Sequence, residues 1–412
     1  MTSGEAARPL AEYLAGVLAR IAPLPPLDLD LTQAYGNVLA EDVAAPGPLP
    51  AFDIAAIDGY AARTEDIHHA HPDRPVRLHV VGDIGVTSWR PVRVLPGNCF
   101  SVAAGAPLPA GSDVVVPPSY TDRGMAVVEV YQSPKRGHAV RRAGDEVAEG
   151  ATLAKAGTYV SPALVALLAA AGIGHVVVRP QPRVVVVATG DELVDIGRSS
   201  QPGQIVDANS HALAAAAADC GAHAFRIGIC DDDPEALRAM IDDQILRSDL
   251  IIITGGTGVG PGDMTRRILG RDGTVTFTDL SVYPCSALGF GTVGAEEVPI
   301  VCLPGDPGSA LIGFEILARP VILRLAGVDP VFRPAVKAHL LETVSSPLGL
   351  REFRPAYVSE RRGGGYTVQP LAGGPYTLSG LAEANGLLVL GEKVPSAAAG
   401  STVDVLLLDR RR

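Results

Sequence analysis

The 412-residue sequence is short of aromatic rings, of positive charge and of long apolar runs, and each shortage removes a class of protein. Aromatic residues are 5% of the chain against 47% hydrophobic, so its cores must rest on Val, Leu, Ile and Ala. A net charge of −11 argues against a general nucleic-acid binder, because phosphate backbones need a basic face. No basic segment precedes an early apolar run, so no secretory signal is expected. The longest apolar stretches, such as Leu164 to Ala171, fall far short of the ~20 residues that span a bilayer. A cytoplasmic chain that is not membrane-embedded is the expectation. Its five cysteines include no Cys-x-x-Cys pair, which favours reduced thiols over disulfides or a thiolate metal site. His68, His69 and His71 read as a solvated loop rather than a metal site. No serine or cysteine nucleophile with a nearby histidine is suggested.

What is present is a change of texture along the chain. The length allows roughly two to four domains. Residues 9–21 carry Leu10, Leu14, Val17, Leu18 and Ile21 at helical spacing. Ser161 to Ala171 starts with Ser-Pro and stops at Gly172, as a helix does. Between them a Pro- and Gly-punctuated stretch, with runs at Arg77–Val81 and Met125–Tyr131, reads as an inserted β-rich domain. From Arg183 the pattern becomes strand–helix alternation: strands at 183–188, 224–229, 249–254 and 298–303, helices at 210–220, 233–247 and 309–325. That alternation predicts parallel βαβ units with helices on both faces. After Pro330 short strands and turns return, ending in Thr402–Leu408.

In open α/β sheets ligands sit beyond the carboxyl ends of the strands. Four loops follow strands here: Thr189-Gly-Asp-Glu192, Asp231-Asp-Asp233, Gly255 to Asp263, and Pro304-Gly-Asp-Pro-Gly-Ser309. Carboxylates at several strand ends suit Mg²⁺, which takes one or two of them plus phosphate and water. Glycine turns bring backbone N–H groups near phosphate oxygens. Taken singly, Asp231–Asp233 could merely cap a helix and the glycines merely turn the chain; together the loops predict a site for a phosphorylated ligand held through a divalent metal. A dinucleotide site is the lesser reading, because Gly256-x-Gly258-x-Gly260 has the wrong spacing and Pro261 interrupts the helix start. A second constellation lies in the inserted region: Asp53 and Asp58 in Phe52–Tyr60, the turn Gly105–Pro109, and Arg141–Glu146.

These motifs, in this order, resemble the molybdopterin molybdenumtransferase family, MoeA and the E domain of gephyrin. The matching pieces are Phe52-Asp…Ile-Asp-Gly-Tyr60, Gly105-Ala-Pro-Leu-Pro109, Arg141-Arg-Ala-Gly-Asp145, Thr189-Gly-Asp-Glu-Leu193, Asp232-Asp-Pro234, Gly255-Gly…Val-Gly260 with Asp263, and Leu303-Pro-Gly-x-Pro307. The resemblance implies a multidomain α/β plus β protein, an elongated four-domain subunit. Domain I would be 1–48 with 140–180 (helical/β, dimer-forming), and domain II the inserted β-rich 49–139. Domain III would be 181–327, a three-layer α/β molybdopterin-binding domain, and domain IV 328–412, β-barrel-like.

It further implies a homodimer that cleaves adenylylated molybdopterin with Mg²⁺ and inserts molybdate, releasing AMP. Carried over by position, Asp58, Glu192 and Asp263 would be catalytic. Glu192, Asp232, Asp233 and Asp263 would face the metal. Gly105, Thr189, Gly255, Gly256, Arg266, Pro304, Pro307 and Ser309 would line the substrate pocket.

Departures from the pattern point the other way. The family's Lys-Pro-Gly-Lys-Pro loop corresponds to Tyr283-Pro-Cys-Ser-Ala287, so both lysines are replaced, by Tyr283 and Ser286. Residues 181–327 hold no lysine, against 19 acidic residues and 10 arginines. Ala104 stands for a threonine, Asp306 for an asparagine and Gly258 for a serine. Each lost charged hydrogen bond to an anion costs about 1.5–3 kcal/mol, unless Arg266 or Arg267 turns inward rather than into solvent. The alternative expectation is a catalytically degenerate, gephyrin-like scaffold. It would bind a short peptide of a cytoskeletal or membrane protein at a groove between the α/β and C-terminal domains, along Leu371 to Ala384; for that strip an ordinary loop and strand is the better reading.

Overall fold

The computed structural model describes residues 8–87, 91–260 and 262–408, which leaves Pro261 outside. The chain folds into two compact units. One is Asp28–Tyr35 with Glu41–Val176; the other is the N-terminal segment to Leu27, Gly36–Ala40 and the chain from Val177 onward.

The first unit holds the β-rich insertion. Its outgoing and returning chains run side by side, Val43–Ala44 against Thr152–Ala154 and Ile54–Ala55 against Val140–Arg141. Beyond them a five-stranded sheet has the order 114–116, 59–62, 98–102, 76–84, 127–130. Alternation along these strands sends Tyr60, Ala62, Leu78, Val114 and Val128 to one face and Ala61, Phe100, Val102 and Val115 to the other. The helix Pro162–Ala170 starts as expected, with Ser161 Oγ accepting from Leu164 N–H at 3.2 Å.

The second unit begins with α1 (Leu10–Leu18), whose buried stripe is Leu10, Tyr13, Leu14 and Val17. Its α/β domain follows as β1 (Arg183–Thr189), α2 (Asn209–Asp219), β2 (His223–Cys230), α3 (Pro234–Ile245) and β3 (Leu250–Thr254). Next come α4 (Met264–Arg271), β4 (Val275–Asp279), β5 (Ala287–Val293), β6 (Val298–Leu303), α5 (Pro307–Gly313) and α6 (Arg319–Leu325). The sheet order is β2-β1-β3-β6-β5-β4. Val184, Val186 and Ile252 pack with α1, α2 and α6 on one face. Val185, Val187 and Ile253 pack with Leu237, Ile241 and Ile268 of α3 and α4 on the other. The result is three layers.

Two expectations need correcting. The sheet is mixed: β5 runs antiparallel to β6, and β4 antiparallel to β5. Glycine-rich β5 is a strand because Gly289 lies under Phe277 and against Cys302, where any Cβ would collide. The expected helix 309–325 is broken by a π-helical turn, Phe314–Ala318. Pro320 has no N–H to give to a carbonyl in the preceding turn, which is where such a bulge relieves the ladder.

The C-terminal part is a closed barrel of β7 (Ala335–Leu340), β8 (Arg351–Glu360), β9 (Tyr366–Pro370), β10 (Gly386–Leu390) and β11 (Thr402–Leu407), with α7 (Leu378–Glu383) between β9 and β10. Its strands pair in the order β8-β9-β7-β11-β10, and β10 returns to β8. Closure leaves no open edge. The pair Val282–Tyr283 adds alongside β8 in parallel. Among the described residues no helix is long and apolar enough to cross a membrane.

Ile252 is fully buried and Leu246 is 81% exposed. Ile252→Ala is therefore expected to cost about 2–5 kcal/mol and Leu246→Ala less than about 0.5, read as shifts in the urea midpoint of the α/β domain.

Candidate functional site

The order β2-β1-β3 places a topological switch between β1 and β3, because the connection after β1 runs to β2 on one side and the connection after β3 runs toward β4–β6 on the other. A crevice opens beyond such strand ends. Here it is bounded by the loops after β1, β2, β3 and β6.

Side chains tie these loops together. Asn209, at the start of α2, donates through Nδ2 to Thr254 Oγ1 (2.8 Å) and to the Gly305 carbonyl (2.8 Å). Thr254 Oγ1 in turn donates to the Pro304 carbonyl (2.8 Å). Thr189 Oγ1 lies 3.2 Å from Thr265 Oγ1, and both residues are buried. Gly255 has φ +106° and abuts Thr189, leaving no space for a Cβ. Behind the knot, buried Asp207 accepts from Ser210 N–H at 3.0 Å. Arg226 binds Ser210 Oγ (2.6 Å) and Asp195 Oδ1 (2.6 Å). The Ile196 amide, then Arg226, holds the Asp195 carboxyl below its usual range.

The carboxylates converge in front. Glu192 folds over Gly190. Asp191 Oδ1 accepts from Asp232 N–H at 2.9 Å. Partial burial, then the charges of Asp191, Glu192 and Asp263, pushes the Asp232 carboxyl above its usual range. Asp263 Oδ1 accepts from Gly258 N–H (2.8 Å) and Oδ2 from Gly260 N–H (2.6 Å). The glycine loop thus wraps the Asp263 carboxylate, and a Cβ at Gly258 would press on it.

Several sequence expectations change here. The Gly258 and Gly260 amides, offered above to a phosphate, are turned onto Asp263. Asp233, expected to face a metal, caps α3, its Oδ2 accepting from Ala236 N–H at 2.8 Å. Ser309, expected to line the pocket, is buried, with its N–H and hydroxyl both on Asp306 Oδ2 (2.9 and 2.8 Å). Asp306 is therefore the cap of α5, with Pro307 in the first turn, and its charge sits at a helix N-terminus. Arg266 points neither into the crevice nor freely into solvent. It reaches the Thr257 carbonyl (3.4 Å), Asp279 (3.3 Å) and the Phe277 ring. Asn209, Thr254 and Thr265 stand outside the expected site residues, and Asp191, inside the expected Thr189–Glu192 loop, had no role assigned. The run Asp207-Ala-Asn-Ser210 before an alanine-rich helix was the available signal, because such residues favour helix starts.

In the β-rich unit Asp58 Oδ1 accepts from Ala104 N–H at 2.7 Å, so it anchors the turn in which Gly105 sits at φ +81°. Asp53 Oδ1 accepts from Ala143 N–H at 2.9 Å and faces Arg142 at 3.8 Å. The three motifs there do meet.

Models of three protein families match successive stretches. These are the MoeA N-terminal region (domain I and II) over residues 8–172, a probable molybdopterin binding domain over 185–324, and the MoeA C-terminal region (domain IV) over 337–408. Molybdopterin molybdenumtransferase 1 of Mycobacterium tuberculosis (strain ATCC 25618 / H37Rv) is 37% identical over 421 residues, covering 97% of this chain and 99% of that protein. The chain belongs to the molybdopterin molybdenumtransferase family. Molybdopterin molybdenumtransferase 2 of the same strain is also 37% identical, with the same coverage. The crystal structure of the molybdopterin biosynthesis MoeA protein from Pyrococcus horikosii aligns with a TM-score of 0.83 at 29% identity, over 98% of this chain and 100% of that one. The α/β domain and the closed barrel thus occupy their family positions.

Two outcomes are expected of the carboxylates. Asp263→Ala frees two amides, and hydrogen exchange of residues 255–263 should speed up by at least about ten- to a hundredfold, the equivalent of one lost charged hydrogen bond. Asp232 has a raised carboxyl pKa, so folding works against its charged form. The penalty is absent below the ordinary value of 3.8 and grows as pH rises through the raised one. Asp232→Asn should therefore raise the melting temperature at pH 7 and leave it unchanged at pH 3.

Proposed function

We propose that the chain is a transferase of molybdenum cofactor biosynthesis. It cleaves adenylylated molybdopterin, inserts molybdate at the dithiolene sulfurs and releases AMP. The observation that carries this reading is the meeting of Glu192, Asp232 and Asp263 at the switch point, beside the glycine loop and the Pro304–Ser309 loop.

The donor set bears on the proposed Mg²⁺. Among the described residues no three His, Cys, Asp or Glu side chains stand close enough to hold a metal together. Asp232 nevertheless sits among negative charges, all with hard oxygen donors. That arrangement fits Mg²⁺, which binds through one or two carboxylates and completes its shell with water and phosphate. Asp232, with Glu192 or Asp263 beside it, would hold it; Asp233, which caps α3, would contribute charge alone. When bound, Mg²⁺ offsets phosphate charge in the transition state. The protein's own part is to fix the loops. Thr189 and Thr265 hold Gly255 and Gly256 in place, Asn209 and Thr254 hold Pro304, and α5 caps itself on Asp306.

The same proposal includes the four-domain division at 48, 139, 180 and 327, and a homodimer in which Asp58 of the partner subunit completes the crevice. The scaffold alternative has less support. Leu371–Ala384 is a loop and a helix turned onto the chain's own α/β domain, with the Tyr376 backbone against Gly308.

The test is turnover. Purified protein with adenylylated molybdopterin, molybdate and Mg²⁺ should release AMP, and Glu192→Gln or Asp263→Asn should slow it at least about tenfold. No AMP release at stoichiometric enzyme would refute the reading. A Tyr283→Lys, Ser286→Lys variant that alone turns over would assign the loss to the missing lysines.

A further inference from the structure

Beside the Pro304–Ser309 loop, and outside the carboxylate cluster, stand two tyrosines with no role so far. Tyr283 and Tyr376 meet edge to face, with ring centroids 5.3 Å apart at 83°, and their hydroxyls are hydrogen-bonded. Both are held from behind. Tyr283 is paired alongside Glu352 of β8. The Tyr376 backbone packs so closely on Gly308 that no side chain fits there. Thr377 Oγ1 closes the turn on the Gly374 carbonyl at 3.2 Å. Yet Tyr376 stays 43% exposed. In a chain with 5% aromatic residues, a fixed and half-open ring pair at the rim of a ligand crevice is a stacking platform.

We propose that Tyr283 and Tyr376 form an aromatic subsite that takes the flat heteroaromatic end of the ligand, a neutral ring of the 2-amino-4-oxopteridine type. This rests on the reading of the crevice as a pterin-nucleotide site, and it says which end lies where. The charges around the pair decide the class of guest. Asp306 and Glu352 both act on Tyr376. Glu352 is fully buried, with Oε1 held by Arg354 at 2.8 Å and Oε2 without a partner. Partial burial, then the hydrogen bond with Tyr283, pushes the Tyr376 hydroxyl up to about 12, so that hydroxyl stays neutral at physiological pH. Such surroundings repel a phosphate. They favour a ring whose edge carries lactam and amino N–H groups, because tyrosine hydroxyl oxygens accept from it and the negative charges behind them favour such donors. The grip is stacking rather than ion pairing, so it is insensitive to salt.

The experiment titrates the full-length protein with free pterin, followed by its own fluorescence, and separately with AMP and Mg²⁺ by calorimetry. Tyr376→Ala is expected to weaken pterin binding about tenfold. Tyr376→Phe should weaken it by less than about twofold, and AMP binding should be unchanged in both. Pterin affinity of the unmodified protein should not move between low and high salt. Unchanged pterin affinity in Tyr376→Ala overturns the proposal. So does a parallel loss of AMP affinity, or a lack of pterin binding by the unmodified protein. If AMP still binds and is still released by turnover in those cases, the wider function stands and only the subsite falls. A protein that binds neither ligand loses both.

Discussion

The site depends on one requirement: backbone groups at the carboxyl ends of buried parallel strands must find partners where the ladder stops. At β3 and β6 the Asn209 amide and the Thr254 hydroxyl meet it, closing on the carbonyls of Pro304 and Gly305. Because these donors come from the start of α2 and the end of β3, three loops are fixed relative to each other. The Pro304–Ser309 loop, on which the Tyr376 backbone rests, takes its position from that knot.

Polar groups around the crevice mostly face one another. Asp263 binds its own loop, Asp306 its own helix, and Arg266 a carbonyl and Asp279. What remains unneutralised is the group around Asp232, where charge is held against both partial burial and repulsion. A protein keeps such an arrangement at a cost in stability, which marks it as a candidate functional site.

The sequence made much of this legible. Continuous Val and Ile runs are unmistakable as buried strands, and β6 came out at Val298–Leu303. What failed did so for physical reasons. Gly289 and Gly291 hid β5, since glycine is rare in strands unless a neighbour needs the space; here Phe277 and Cys302 need it at Gly289, and the Thr274–Val275 backbone at Gly291. The π turn is one extra residue in a ladder, which hydrophobic spacing cannot reveal. The capping bonds of Asp233 and Ser309 could not be told from ligation in the sequence, because a helix cap and a ligating group use the same side chains. Asn209 was overlooked since its partners lie 45 and 96 residues away.

The N-terminal helix carries a further consequence, for how the chain is made. Leu10, Tyr13, Leu14 and Val17 share a core with Leu280, Val282 and residues 312–325, and Arg8 exchanges backbone bonds with Asp279 and Ser281. At ordinary rates of synthesis those partners leave the ribosome roughly 15–60 seconds after the helix does. Through that interval the whole β-rich unit can fold while the first apolar stripe of the protein waits uncovered. The α/β domain therefore closes over α1 only after residues 280–325 have emerged, and a fragment starting at Arg183 would lack a piece of its own interior.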